Sequence, residues 1–340
     1  MTTAAIPLTL QAGSEELETR LRPVFELLDE ISEKENLSPG VLAIGYHGKE
    51  SIHLFGRRPS AEEVVECSSC PVVTLFDWAI LKHALLVSGI AHLVEFKQLA
   101  LETPVSSILQ GTALAPPEGG WRGVTVRQVL EHTSGLILDL SGAKTMSEAH
   151  MRFVPPGQPN DTFPYTDAVI EEWIVSTLTG KQGLASADAM VLARLRPLSF
   201  PAMDSPLRLG PDRPKWEAED DLVLGELWLN DGIYAHRRIF SRKTASTFLA
   251  ARTEADSTFT AGWQVSLAPG HKFSGRSFGF TVSEGPSLWM DPEHELCIVF
   301  LPATGAAPLD ERPPGDRRIG PLRAQVHDAI FSALGLSNSK

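Results

Sequence analysis

The chain has 340 residues, 43% hydrophobic and 21% charged, enough apolar material to bury the core of one large domain or two interleaved lobes. Thirty Lys and Arg against forty-two Asp and Glu leave a formal charge of −12, which argues against nucleic acid or an anionic membrane surface as the main partner. A small molecule, or another protein, fits better.

Residues 14–37 place Leu17, Leu21, Val24, Leu27, Leu28 and Ile31 at helical spacing behind the acidic start Glu15-Glu16, and Ser38-Pro39-Gly40 ends the pattern. Residues 41–46 and 52–55 read as two strands around the turn His47-Gly48-Lys49. After the polar stretch 57–70, an apolar helix starts at about Ala79. Its run to Val94 is interrupted by Lys82, His83, Ser88 and His92, so it reads as a buried helix rather than a membrane span.

Residues 124–132 predict a short helix ending at Thr133-Ser134-Gly135, 155–164 a proline-rich connector, and 166–179 an amphipathic helix stopped by Gly180. Two more helices are predicted over 217–230 and 241–251, and strand alternation returns at 262–266. Residues 277–281, 287–290 and 295–301 fit antiparallel strands with turns at Glu284-Gly285-Pro286 and Asp291-Pro292. A loop rich in proline and charge, 308–318, precedes a last helix over 322–334.

This order predicts an α/β fold: an N-terminal helix and lead-in over 1–39, then one domain over 40–336. Within it, an antiparallel sheet lobe is built from both chain ends, about 40–70 and 258–336, and an all-α lobe, about 71–257, is inserted. The seam of the two lobes is where a ligand site is expected.

The first eleven residues lack the basic start and apolar run of a secretory leader, so a cytoplasmic setting is expected. Three cysteines, Cys67, Cys70 and Cys297, cannot build a disulfide framework and fit a reducing compartment. Cys67-Ser-Ser-Cys70 has redox or zinc-knuckle spacing, but without a second pair it reads as two loop thiols. The histidines form no HExxH or HxH cluster, so neither a metal nor another cofactor is expected.

Lys82 lies three residues after Ala79 on an otherwise apolar helix. A lysine there either lays its stem along the core and brings its ammonium out at the helix start, pairs with a carboxylate, or does chemistry.

Three spaced segments bear on that choice. They are Val124-Thr-Val-Arg-Gln-Val-Leu-Glu-His-Thr-Ser-Gly-Leu136, Phe163-Pro-Tyr165-Thr-Asp167 with the helix that follows to Thr179-Gly-Lys181, and Gly285-Pro-Ser-Leu-Trp-Met-Asp-Pro292 before an apolar strand. Together they resemble the serine β-lactamase and penicillin-binding-protein-like family, of the class C and esterase type, over roughly residues 40–334. The resemblance implies a mixed sheet lobe with an all-α lobe.

In that family a serine three residues before a lysine attacks an ester or amide carbonyl, and the lysine helps remove its proton. Here the motif reads Ala79-Ile80-Leu81-Lys82, and a methyl group cannot form an acyl-enzyme. Ser141 precedes Lys144 at the same spacing but matches no family position.

The family's second motif, a tyrosine followed two residues later by asparagine, becomes Tyr165 and Asp167. A carboxylate at Asp167 close to Lys82 would favour the ammonium and weaken Lys82 as a base. The third motif, normally a cation, a small polar residue and glycine, becomes Phe280-Thr281-Val282, with an apolar wall at Phe280 and crowding at Val282. With Trp78, these three are the residues expected to line the substrate site. The backbone amide of Ala79 remains for an oxyanion hole.

Three readings follow. The chain is an enzyme of altered chemistry in small-molecule ester, acyl or carbonyl metabolism, with Lys82 and Tyr165 as acid and base; or a pseudoenzyme that binds a metabolite or protein; or a serine hydrolase or acyltransferase in which Ala79 has been introduced.

Overall fold

The computed structural model describes residues 15–35, 37, 40–56, 79–112, 123–139, 150–153, 165–195, 218–250, 259–265, 272–281, 286–302 and 319–336. At 79–81, 137–139, 150–153, 165–168, 218, 219 and 319 the description extends to the backbone alone.

The helices are α1 (Glu15–Lys34), α2 (Ala79–Glu95), α3 (Val105–Ile108), α4 (Val126–Leu130), α5 (Tyr165–Thr179), α6 (Gly183–Met190), α7 (Leu192–Leu195), α8 (Ala218–Leu229), α9 (Arg242–Leu249) and α10 (Ile319–Ala333). The strands are β1 (Gly40–Tyr46), β2 (Lys49–Phe55), β3 (Leu136–Asp139), β4 (His150–Phe153), β5 (Ile233–Tyr234), β6 (Arg237–Arg238), β7 (Phe278–Thr281), β8 (Ser287–Asp291) and β9 (Leu296–Pro302).

The chain divides into two compact units, one of Met1–Leu81, Leu195–Arg238 and Gln264–Lys340, the other of Lys82–Arg194 and Ile239–Trp263. In the first, strands from both chain ends form a five-stranded antiparallel sheet in the order β2-β1-β9-β8-β7. This is the mixed α/β architecture with an antiparallel sheet that the element order predicts.

Strand alternation gives this sheet two buried faces. Leu42 and Ile44 of β1 and Leu296, Ile298 and Phe300 of β9 join Leu17, Leu21, Val24 and Leu28 of α1 and Leu322, Val326, Ile330 and Phe331 of α10 in one core. The alternate residues of β9 point the other way, towards α8. There Gly225 lets the helix sit directly on Cys297, since a Cβ at Gly225 would overlap Cys297 Sγ. At 20–33 cal/mol per Å² of apolar surface, each fully buried Leu or Ile contributes about 2 kcal/mol.

Of the predicted alternation at 262–266, the described residues 262–265 do not make a strand. Gln264 forms a single antiparallel bridge with Gly279, exchanging backbone hydrogen bonds of 2.8 and 2.9 Å at the outer edge of β7. The alternation there is local because Gly262, at φ 92°, turns the chain against Val87.

The second unit is helical around α2, with the two-stranded hairpin of β3 and β4 added. Among the described residues, no helix is long and apolar enough to cross a membrane.

Candidate active site

From His83 to Leu93 every residue of α2 is buried, which is the pattern of a helix surrounded by protein rather than lying on a surface. Its polar residues must therefore find partners within the fold. Ser88 Oγ donates to Ala84 O at 2.7 Å, and His92 Nδ1 lies 3.1 Å from Ile239 O. Burial holds His92 below the ordinary histidine value.

Lys82 and His83, adjacent on α2, meet Glu172 and Glu171, adjacent on α5. Lys82 Nζ is 2.7 Å from Glu172 Oε2, with the two side chains 21% and 27% exposed. At that exposure the pair is worth about 1 kcal/mol net to stability, so its interest lies in its chemistry.

His83 Nδ1 is 3.2 Å from Glu171 Oε2 in a wholly buried setting, although neither oxygen of Glu171 accepts a hydrogen bond of good geometry among the described residues. His83 Nε2 lies 2.8 Å from Gly262 O. A carbonyl only accepts, so Nε2 carries the proton. The His83 ring also sits beside His132 and Trp263, at centroid distances of 5.8 and 6.4 Å. The result is two neighbouring contacts to carboxylates, His83 with Glu171 deeply buried and Lys82 with Glu172 open enough to meet a ligand.

The residues singled out in the sequence distribute as follows. Ala79 is the first described residue of α2, and Lys82 comes one turn later. Tyr165 and Asp167 open α5, the helix that carries Glu172 to Lys82, and their side chains lie outside the described residues. Among the described side chains, the carboxylate that meets Lys82 is Glu172.

On β7, Phe280 is 2% exposed, and Thr281 Oγ1 accepts a 2.9 Å hydrogen bond from Trp289 Nε1. Trp78, Val282, Ser141, Lys144, Cys67 and Cys70 lie outside the described residues. Glu171 and Glu172 are the site residues that motif spacing misses. The signal for them was available, as two glutamates inside the apolar run Val169-Ile-Glu-Glu-Trp-Ile-Val175.

The segment 124–136 is turn chemistry. Thr125 caps α4 with a capping box, its Oγ1 accepting from Gln128 N while Gln128 Oε1 accepts from Thr125 N. His132 at φ 54° and Gly135 at φ 68° then turn the chain, and Ser134 Oγ accepts from Leu136 N at 3.1 Å.

Comparison with known proteins agrees with this architecture. The Beta-lactamase family pattern matches residues 27–184. A Salmonella typhi protein described as "Putative D-alanyl-D-alanine carboxypeptidase" is 33% identical over 91 residues, which is 25% of this chain and only 21% of that protein's length. A penicillin-binding protein homolog from Caulobacter crescentus superposes with a TM-score of 0.63 at 14% identity, covering 95% of this chain and 99% of its own. EstCE1, described as a hydrolase with promiscuous acyltransferase activity, gives 0.62 at 14% identity, covering 93% and 100%. At such identities the structural likeness shows the fold alone. Residues 27–184 thus resemble the Beta-lactamase family, and the chain shares the fold of penicillin-binding-protein homologs and esterases of known structure.

Proposed function

We propose that this chain handles a small ester, acyl or carbonyl compound without forming an acyl-enzyme, using Lys82 and Tyr165 as acid and base. The observation that supports this most directly is the 2.7 Å contact between Lys82 Nζ and Glu172 Oε2. At contact distance the carboxylate ties Lys82 by a charge-assisted hydrogen bond and fixes where its remaining donors point. With alanine at position 79 there is no hydroxyl to activate.

An ammonium that retains a carboxylate partner is suited to donating towards a substrate oxygen. Lys82 donates to the oxygen of the bound carbonyl or to a departing alkoxide, and Tyr165, acting as its phenolate, receives the proton of an attacking water or of the carbon next to the carbonyl and ends as the phenol. The amide of Ala79, at the start of α2, adds a backbone donor for the developing oxyanion. Glu172 orients Lys82. The setting we propose is the cytoplasm, where Cys297 stays a free thiol.

A second reading, binding without turnover, is favoured by Phe280. At the position of the family's third-motif cation it puts a 2% exposed aromatic ring, which supplies packing and no charge.

Intact-mass analysis after treatment with a fluorophosphonate probe, together with a turnover assay on a panel of aryl esters, tests both readings. We expect no covalent adduct and a slow turnover that falls at least about a hundredfold in Lys82→Ala and Tyr165→Phe. A stoichiometric adduct sinks the proposal. Turnover unaffected by either substitution removes the acid–base roles, and ligand binding with no turnover selects the second reading.

A further inference from the structure

Glu171 takes no part in the acid–base steps assigned to Lys82 and Tyr165, yet its side chain is fully buried one residue from Glu172. A carboxylate in that position is rare and costly, and a buried carboxylate–imidazole pair adds little to stability over apolar side chains of the same volume. What such a pair can supply is a defined arrangement.

The proton count follows from the contacts. His83 Nε2 donates to Gly262 O at 2.8 Å, so the 3.2 Å contact between His83 Nδ1 and Glu171 Oε2 is attractive only with one further proton, on the nitrogen of an imidazolium or on the oxygen of a carboxylic acid. Either form holds ring and carboxyl together. Gly262 is itself fixed. Its amide donates to Leu130 O at 2.9 Å, and at φ 92° its backbone lies so close to Val87 of α2 that a Cβ would overlap it.

Lys82 has less to hold it. Its side chain is long, 21% exposed, and tied to Glu172 by a pair of modest strength. Neighbouring residues of a helix point about 100° apart, so Lys82 and His83 diverge on α2, as Glu171 and Glu172 do on α5. Meeting as two pairs, Lys82 with Glu172 and His83 with Glu171, they fix the rotation of both helices, which one contact alone would leave free.

We propose that His83 and Glu171 are positioning residues, whose buried contact sets the rotation of α2 and α5 that brings Lys82 to Glu172. The inference rests on the reading of Lys82 as the acid of the site. A misplacement of about 1 Å there costs on the order of a hundredfold in rate.

Urea unfolding of the full chain tests this through a double-mutant cycle of Lys82→Met and Glu172→Gln, run in the native background and again with Glu171→Met or Glu171→Gln. In the native background we expect the two sites to be coupled about fivefold in the unfolding constant. Glu171→Met, which fills the volume with an apolar chain, should reduce that coupling to less than about twofold, whereas Glu171→Gln, whose amide can donate to Nδ1 of a neutral His83, should retain it. A loss of stability alone, with the coupling unchanged, overturns the proposal, as does the absence of coupling in the native chain. If Glu171→Met fails to fold, His83→Gln carries the comparison, since it keeps a donor for Gly262 O and removes the nitrogen facing Glu171. On aryl esters, kcat should fall at least about tenfold in Glu171→Met with KM within about threefold, and an unchanged kcat in an active chain overturns the proposal. The cycle requires no turnover, so coupling lost in Glu171→Met of a chain that turns nothing over sinks the acid–base reading and leaves the positioning role standing.

Discussion

Asp291 is fully buried and stays ionised because four donors converge on it. Ser274 gives its amide at 2.9 Å and its hydroxyl at 2.6 Å, Glu293 its amide at 3.1 Å, and His294 Nδ1 lies 2.8 Å away. Burial alone would raise this carboxyl, but the bonds from Ser274 and His294 overcome it and hold it below the ordinary aspartate value. Asp291→Asn sets an NH₂ against donors, and we expect a loss of about 3 kcal/mol, read as a lower urea midpoint at unchanged m-value. The loss should shrink as pH falls, because protonation removes the advantage of the native carboxylate as well. Lys82 poses a different lesson at the same scale. Its need for a partner is legible in the sequence, but the choice of Glu172 is not. Which carboxylate of a neighbouring helix comes to face it depends on the rotation of α5 about its axis, which no local spacing in α2 records.

At the scale of elements, α1, β1, β2, β7, β8, β9 and α10 were readable because each keeps one period and has one clear apolar face, as Leu17, Leu21, Val24 and Leu28 do on α1. The hairpin of β3 and β4 was not, since strands of four residues are too short to display a period. Helix α8 was legible as a helix, but its packing on the sheet was not. That depends on Gly225, whose missing side chain makes room for Cys297 Sγ on β9. Gly225→Ala should therefore destabilise by about 1–3 kcal/mol despite the better helix propensity of alanine. Cys297→Ala opens the matching space. In the double variant the two penalties should cancel in part, giving a coupling of about 1 kcal/mol or more in a double-mutant cycle of urea unfolding. Strict additivity would show that the helix and strand are not in register as described.

For the molecule as a whole, stability should depend on pH through opposing buried groups. His92 is held below its ordinary 6.5 by burial, so the unfolded chain binds a proton there that the folded chain refuses, and stability falls as pH drops below that value. Glu226 acts in the reverse sense. Burial raises it from 4.5 to about 7, with the nearby Glu295 charge adding and the Asn230 hydrogen bond opposing. Between those values the folded chain retains a proton that the unfolded chain has released, so stability declines as pH rises through the window and levels off above it. The full effect is about 3 kcal/mol, the free energy of moving a titration from 4.5 to about 7. The formal charge of −12 at pH 7 adds a diffuse repulsion of the same sign. Comparing the native chain with Glu226→Gln isolates the single group, because His92 and the net repulsion are nearly common to both. The unfolding free energy of Glu226→Gln relative to the native chain should climb by about 3 kcal/mol between pH 4.5 and 8 and then stay constant. A difference that is flat with pH would mean that Glu226 does not hold its proton in the folded state.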